Sequence, residues 1–266
     1  YGYVLEGLEL YYDGIDNAGE GNHDNKSSIW KDLSGKGHDG MLTNFGNNAI
    51  SGWHNNYLSF DGINDWVNCG ELNYPNVTLE ATYIDKSGSY KEFFGNWEGG
   101  GNGLIVADGL YKSNININDE YYYLETSTNG KINERLTQSM TYNGKEQILY
   151  INGEKKDNIE ITGNIKSPVS NTVMAIGTNP TGSEIAIGVS DIDVFSVRIY
   201  NRGLTNEEIE VNSKADARRF KKNEIIPIYT EQELLSVENG KIYELKNDIE
   251  FSGDYESIIN KLNNKE

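Results

Sequence analysis

Apolar residues recur along this chain with a period of two. In Val77-Thr78-Leu79-Glu80-Ala81-Thr82-Tyr83, one face carries Val77, Leu79, Ala81 and Tyr83, and the other Thr78, Glu80 and Thr82. That alternation predicts a half-buried strand. Shorter runs of the same kind lie at 8–12, 57–60, 92–97, 104–107, 121–125, 147–151, 173–176 and 191–200, separated by Gly- and Asn-rich turns. Gly tolerates the positive φ that tight turns require. The run at 147–151 enters Asn152-Gly153 and then Glu154-Lys155-Lys156. Asn-Gly between apolar runs is the strongest short hairpin signal, because both central residues must accept φ > 0. Asn143-Gly144 and Asn129-Gly130 are further turn positions. Many short strands with few helices predict a sandwich or barrel.

One helix start is well marked. Thr205 is an N-cap with Glu208 three residues on, a capping box, and Leu204 and Ile209 stand at the positions of a hydrophobic staple. The helix is predicted from Asn206 to about Ala215. The basic run Arg218-Arg219-Phe220-Lys221-Lys222 then reads as a solvated linker, and Pro227 opens a new section. Beyond it, 231–237 reads as helical or mixed, 241–245 as a strand and 256–262 as a helix. The expected division is a β-sandwich over 1–222 and a small α+β tail over 223–266, either an extension or the start of a further module. About forty residues are few for a core of their own.

Composition narrows the partners. Of 266 residues, 23 are Lys or Arg and 41 Asp or Glu, a net charge of −18. Such a surface repels a phosphate backbone or an anionic membrane on average, so neither nucleic-acid binding nor membrane insertion is expected. No run approaches the roughly 18 apolar residues of a membrane span. The acidity fits solubility, and it also fits calcium, a hard cation that takes carboxylate and amide oxygens. The single cysteine, Cys69, cannot form an intrachain disulfide or a zinc site alone, and after the strand-like Trp66-Val67-Asn68 it reads as a packed core thiol. Opening at Tyr1 without a Met or a signal peptide, the chain reads as an excised piece or a processed product.

Several segments together resemble the laminin-G-like jelly-roll domains of the concanavalin A-like lectin and glucanase superfamily. They are Leu10-Tyr11-Tyr12-Asp13-Gly14, then Trp30-Lys31-Asp32-Leu33-Ser34-Gly35 with His38-Asp39-Gly40, then Leu58-Ser59-Phe60-Asp61-Gly62-Ile63-Asn64-Asp65-Trp66-Val67. Val77-Thr78-Leu79-Glu80, Tyr150-Ile151-Asn152-Gly153-Glu154 and the stretch from Ser196 to Ile209 follow in the family's order. The resemblance implies an all-β fold of two antiparallel sheets in a jelly roll, closed by a short helix. It does not choose a function, because members include lectins, adhesion modules and glycosidases.

Motifs for catalysis are not found. A glycosidase needs two carboxylates about 5 to 10 Å apart. The glucanase branch carries them as Glu-x-Asp-x-x-Glu or a close variant, and this chain has no such run. Asp191-Ile192-Asp193 comes nearest but lacks the following Glu. His23, His38 and His54 have no metal-binding spacing, and there is no Gly-x-Ser-x-Gly elbow or phosphate loop.

Sugar sites combine an aromatic platform with amide and carboxylate groups. The loop Asn96-Trp97-Glu98-Gly99-Gly100-Gly101-Asn102-Gly103 has that composition, so Asn96, Trp97, Glu98 and Asn102 are expected ligand-binding residues, with Trp97 either a platform or a core side chain. In Tyr121-Tyr122-Tyr123 at least one ring must point outward, and Tyr122 joins the expected set. Asp61, Asn64 and Asp65 form an oxygen-rich turn, a possible calcium site or a turn closed by Asp61 on backbone N–H groups. The expected function is a non-catalytic carbohydrate-binding or adhesion module of a larger extracellular, bacterial-surface or virion protein of the phage-tail type. Its partner would be a glycan or a cell-surface protein, and the parent protein could oligomerise. A structural or protein-binding spacer and a divergent glycoside hydrolase are the alternatives.

Overall fold

The structure, a computed structural model, describes residues 2–127, 130–181, 184–221, 225–228 and 242–245. Two antiparallel sheets stack as a sandwich. The first runs in the order β14 (Glu154–Glu160), β13 (Glu146–Ile151), β12 (Arg135–Tyr142), β7 (Val77–Asp85), β18 (Ile192–Tyr200), β5 (Leu58–Ser59) and β4 (Gly52–Trp53), with β1 (Leu8–Asp13) also on β18. The second runs β11 (Glu120–Glu125), β10 (Leu110–Ile117), β9 (Asn102–Ala107), β8 (Lys91–Gly95), β15 (Ala175–Ile176), β6 (Trp66–Asn68), β3 (Gly40–Thr43) and β2 (Ile29–Trp30). β16 (Asn179–Thr181) and β17 (Glu184–Ile187) make a separate antiparallel pair. β18 serves two partners on one side: Asp193 and Val194 meet β5, while Ser196 to Tyr200 meet β1.

The period-two pattern is what fills the space between the sheets. Leu79, Ala81, Tyr83, Val197 and Ile199 of the first sheet share one fully buried cluster with Phe93, Leu104, Val106 and Ile115 of the second. Cys69 lies in the same cluster, and burial pushes its thiol up to about 12, so it stays protonated and inert. At Asn152-Gly153, φ is 52° and 82°, and the two residues join β13 to β14 as the hairpin pattern predicts.

Thr205 caps α1 (Asn206–Arg219) with both halves of the capping box in place. The staple residues Leu204 and Ile209 are both buried in a second cluster. The helix runs a turn further than the predicted end at Ala215, because its last turn carries interactions. Asp216 reaches the sheet, and Arg219 pairs with Asp13 and Asp16, so the expected solvated linker is in part the helix end.

The helix lies over the outer face of β7 and β18, and this overturns the reading of β7 as half-buried. Thr78, Glu80 and Thr82 are at most 1% exposed, like the apolar face opposite. Their polarity is matched by a buried ionic cluster. Arg198 Nε donates to Glu80 Oε2 at 2.9 Å, and its NH1 and NH2 donate to Asp216 Oδ1 and Oδ2 at 2.9 and 2.5 Å. Asn212 Nδ2 donates to Glu80 at 2.7 Å, and Tyr3 OH to Asp216 at 2.8 Å with its ring 4.2 Å from the guanidinium.

The chain divides into two compact units, Tyr1–Phe220 and Lys221–Glu266. In the second, β19 (Ile225–Ile228) and β20 (Ile242–Leu245) pair in parallel, β20 falling in the predicted strand 241–245. The helices predicted at 231–237 and 256–262 lie outside the described residues.

Candidate ligand-binding site

The Gly-rich loop after β8 turns the chain back into β9 around Asn96. Its Nδ2 donates to Leu72 O at 3.0 Å and to Asn73 Oδ1 at 2.9 Å, and its Oδ1 accepts from Asn102 N at 3.2 Å. Gly101 has φ +74°, and a Cβ there would stand 2.3 Å from Asn96 O, so only glycine fits. This turn lays Trp97 against the outer face of the second sheet. A Cβ on Gly103 would come within 3.0 Å of Trp97 Cε3, so the bare backbone of β9 is the seat of the indole. Trp97, Ile105 and Ala107, with the half-buried Tyr121, form a cluster of their own outside the main core.

Around that cluster is a pocket of about 430 Å³, walled by the rings of Tyr90, Trp97, Tyr121 and Tyr123, with Glu92, Lys112, Asn114 and Asn179 as its polar lining. Tyr121 OH donates to Trp97 O at 2.6 Å, which ties the β11 wall to the loop. Tyr123 stands 58% exposed, and its ring centre is 6.3 Å from that of Tyr121. Glu92 is 6% exposed and accepts from Trp97 Nε1 at 2.8 Å, from Tyr90 OH and from the Asn179 side chain. Burial pushes its carboxyl up to about 6, against the pull of the Trp97 and Asn179 donors. Lys112 is held at 2.8 Å by Glu125. Asn114 and Asn179 are 1% and 5% exposed, and the Oδ1 of each has no hydrogen-bond partner among the described residues. Buried amide oxygens without donors are costly, and a ligand O–H or N–H satisfies them.

Of the expected ligand-binding residues, only Trp97 lines the pocket. Asn96 is fully buried and holds the loop together, while Asn102 is 2% exposed on the inward face of β9 beside it. Glu98 lies on the loop, partly exposed, where its charge adds to the rise at Glu92. Tyr122 does not reach the pocket. Strand alternation turns its ring against the main core, and its OH donates to Glu120 at 2.7 Å, while Tyr121 and Tyr123 face the pocket on either side of it. The polar lining on β10 carries no sequence signal, because Lys112 and Asn114 break the apolar alternation that marks a strand.

At the oxygen-rich turn, Asp61 Oδ1 accepts from Ile63 N at 2.8 Å and from Asn64 N at 3.4 Å, and Asp65 Oδ2 accepts from Asp61 N at 3.1 Å. Asn64 O accepts from Asn44 Nδ2 at 3.0 Å. These are the bonds of a turn, and burial raises the Asp65 carboxyl. No group of three or more His, Cys, Asp or Glu able to hold a metal occurs among the described residues. The carboxylates of Asp191 and Asp193 both bind Lys86 Nζ, at 3.1 and 3.2 Å.

No family model and no curated protein matches the chain. Solved structures do. The binding domain of botulinum neurotoxin serotype D superposes with a TM-score of 0.58 at 17% identity, over 85% of this chain and 55% of that one. The binding domain of Paraclostridial Mosquitocidal Protein 1 gives 0.59 at 16% identity, over 83% and 54%. A Trypanosoma rangeli sialidase in complex with sialic acid gives 0.55 at 19% identity, over 80% of this chain and 33% of that one. The chain therefore spans about half the length of the toxin domains and a third of the sialidase. At such identities the likeness shows the fold. The described residues form an antiparallel two-sheet sandwich similar in fold to these toxin binding domains.

Proposed function

We propose that this chain is a non-catalytic carbohydrate-binding or adhesion module of a larger extracellular or virion protein, with a glycan held in the pocket over β9, β10 and β11. One observation carries the reading. Two buried acceptors, Asn114 Oδ1 and Asn179 Oδ1, lack donors among the described residues, beneath a wall of four aromatic rings. A pyranose fits both halves: its C–H face stacks on a ring and its hydroxyls donate. The ordered motifs of the laminin-G-like branch and the fold shared with toxin binding domains support the same reading. No described helix is long and apolar enough to cross a membrane.

A glycan array followed by calorimetry on the full chain tests this. Binding of at least one glycan is expected, weakened about tenfold by Tyr123→Ala, which removes an exposed ring without touching the core. No binding on the array, or binding indifferent to both Tyr123→Ala and Trp97→Ala, would overturn it. Calcium is a separate arm at Asp61, Asn64 and Asp65, whose carboxyl also takes a hydrogen bond from the Ser51 side chain. A calcium titration read by thermal shift, against Asp65→Asn, decides it.

A further inference from the structure

Arg135 opens β12 and sits apart from every other arginine of the first unit in one respect. Arg198 is paired with Glu80 and Asp216, Arg202 with Glu208, and Arg219 with Asp13 and Asp16, while Arg218 is exposed. Arg135 is partly buried and has no carboxylate within ion-pair distance among the described residues. Its guanidinium lies 5.5 Å from the centre of the Phe195 ring, which is itself 4% exposed. Burial lowers its pKa, with only the charge of Asp216 opposing. That Asp216 carboxylate is already bonded by Arg198 on both oxygens. A cation that loses water without gaining a counter-charge is destabilising unless an anion comes to it.

Two concavities meet at this side chain. One of about 330 Å³ lies at the end of the sandwich, and another of about 330 Å³ lies between β12 and α1; Arg135, Leu136 and Asn152 line both. Lys131 and Lys156 stand in the first, Lys214 in the second. Each lysine is paired, with Glu134, Glu154 and Glu210 in turn; Glu134 itself lines the first concavity, and Asp216, already held by Arg198, lines the second. Of the four cations lining these concavities, Arg135 is the one without a carboxylate of its own among the described residues. Leu136, Ile151 and the Tyr111 ring supply apolar wall beside the polar Thr126, Ser127 and Asn152. Each cavity is at the lower end of the roughly 300–1,000 Å³ of small-molecule sites, which suits a single ring more than a folded chain.

We infer that Arg135 is the receptor for the carboxylate of an acidic saccharide, bound bidentate by the guanidinium with the sugar ring against Leu136 and Ile151. The anion site itself is independent of the aromatic pocket, with which it shares no lining residue; the choice of a saccharide rests on the proposed function.

The test uses the full chain, labelled with ¹⁵N-arginine, titrated at low salt with sodium glucuronate, with glucose as the neutral control and sodium acetate as the bare carboxylate. Glucuronate is expected to shift the Arg135 Nε–H resonance saturably, with glucose giving no shift and acetate binding at least about tenfold more weakly. Arg135→Gln should weaken glucuronate at least about tenfold, and Arg135→Lys should do so partly, because it keeps charge but not the planar fork. Tyr123→Ala should leave this titration unchanged, so failure here and failure at the aromatic pocket are read separately. A glucuronate shift no larger than that of glucose, or unaltered affinity in Arg135→Gln, overturns the site. Equal affinity for acetate overturns its assignment to a saccharide.

Discussion

Replacing Arg198 with methionine tests the ionic cluster under α1 most directly. The change keeps most of the side-chain volume and removes the charge. Four hydrogen bonds are lost, to Glu80, to both oxygens of Asp216 and to Ser196. What remains is worse than their absence: Glu80 and Asp216, at 0% and 1% exposure, keep two carboxyl groups in a closed space. Removing one partner of such a pair costs about 3–5 kcal/mol, a large part of the ~5–15 kcal/mol that holds a domain folded. For a unit of this size that lowers Tm by about 6–20 °C. The deficit also depends on pH. Burial raises the Glu80 carboxyl, and Arg198 pulls it back only in part. Without Arg198 the rise is larger. An acid whose folded pKa lies above its unfolded value keeps its contribution below the unfolded value and loses it as pH climbs through the folded one. The variant should therefore be closest to wild type near about pH 4 and fall behind it toward neutrality. Urea titration followed by tryptophan fluorescence, repeated across pH, measures this. Arg198→Met combined with Glu80→Gln and Asp216→Asn keeps the hydrogen-bonding shape without the charges and should recover roughly half the loss or more. A single variant that loses less than about 1 kcal/mol, or a triple variant no better than the single, would refute the account.

Glu92→Gln removes the acid beneath Trp97. A rise from the ordinary 4.5 to about 6 is worth about 2 kcal/mol, held below 4.5 and lost as pH passes 6. Stability curves of wild type and variant against pH should therefore differ in slope across that window, and parallel curves would contradict the raised value. Gly103→Ala brings a Cβ to 3.0 Å from Trp97 Cε3, so the indole must shift; the tryptophan emission should change and glycan affinity fall while the far-ultraviolet circular dichroism stays the same. Gly101→Ala forces a Cβ against Asn96 O at φ +74° and should lower the urea midpoint by an amount equivalent to about 1–3 kcal/mol. Thr205→Ala removes one half of the capping box and should cost about 1 kcal/mol in the same titration, with Thr205→Ser close to wild type.

The parts of the fold legible in the sequence were those written in a local code. Period-two runs named β1, β7, β13 and β18, Asn152-Gly153 named the hairpin, and Thr205 with Glu208 named the helix start. What escaped was set by distant partners. Thr78, Glu80 and Thr82 are a solvent face by pattern and a buried face in fact, because a helix more than 120 residues later covers them and Arg198 supplies the counter-charge. β10 was missed because Lys112, Asn114 and Asn116 dilute its apolar alternation, and the outward Lys112 and Asn114 are part of what makes a pocket there. Trp97 was visible as a lone tryptophan in a Gly-rich loop. Its seat on Gly103, and the neighbours Tyr121 and Tyr123 rather than Tyr122, depend on which way a strand of three tyrosines faces, and the sheet decides that.

Tyr3 on Asp216, Val4 N on Asn212 Oδ1 at 2.9 Å, and β1 along β18 bring the first and last elements of the sandwich together. Pull applied across those two elements is carried by the bonds that join them. Tension then falls on this clasp first, while the inter-sheet core and the pocket over β9 to β11 lie off the line of force. The lifetime of the unit under pull is set by the unfolding rate of that seam. The buried guanidinium of Arg198, bonded to sheet and helix at once, acts as its rivet.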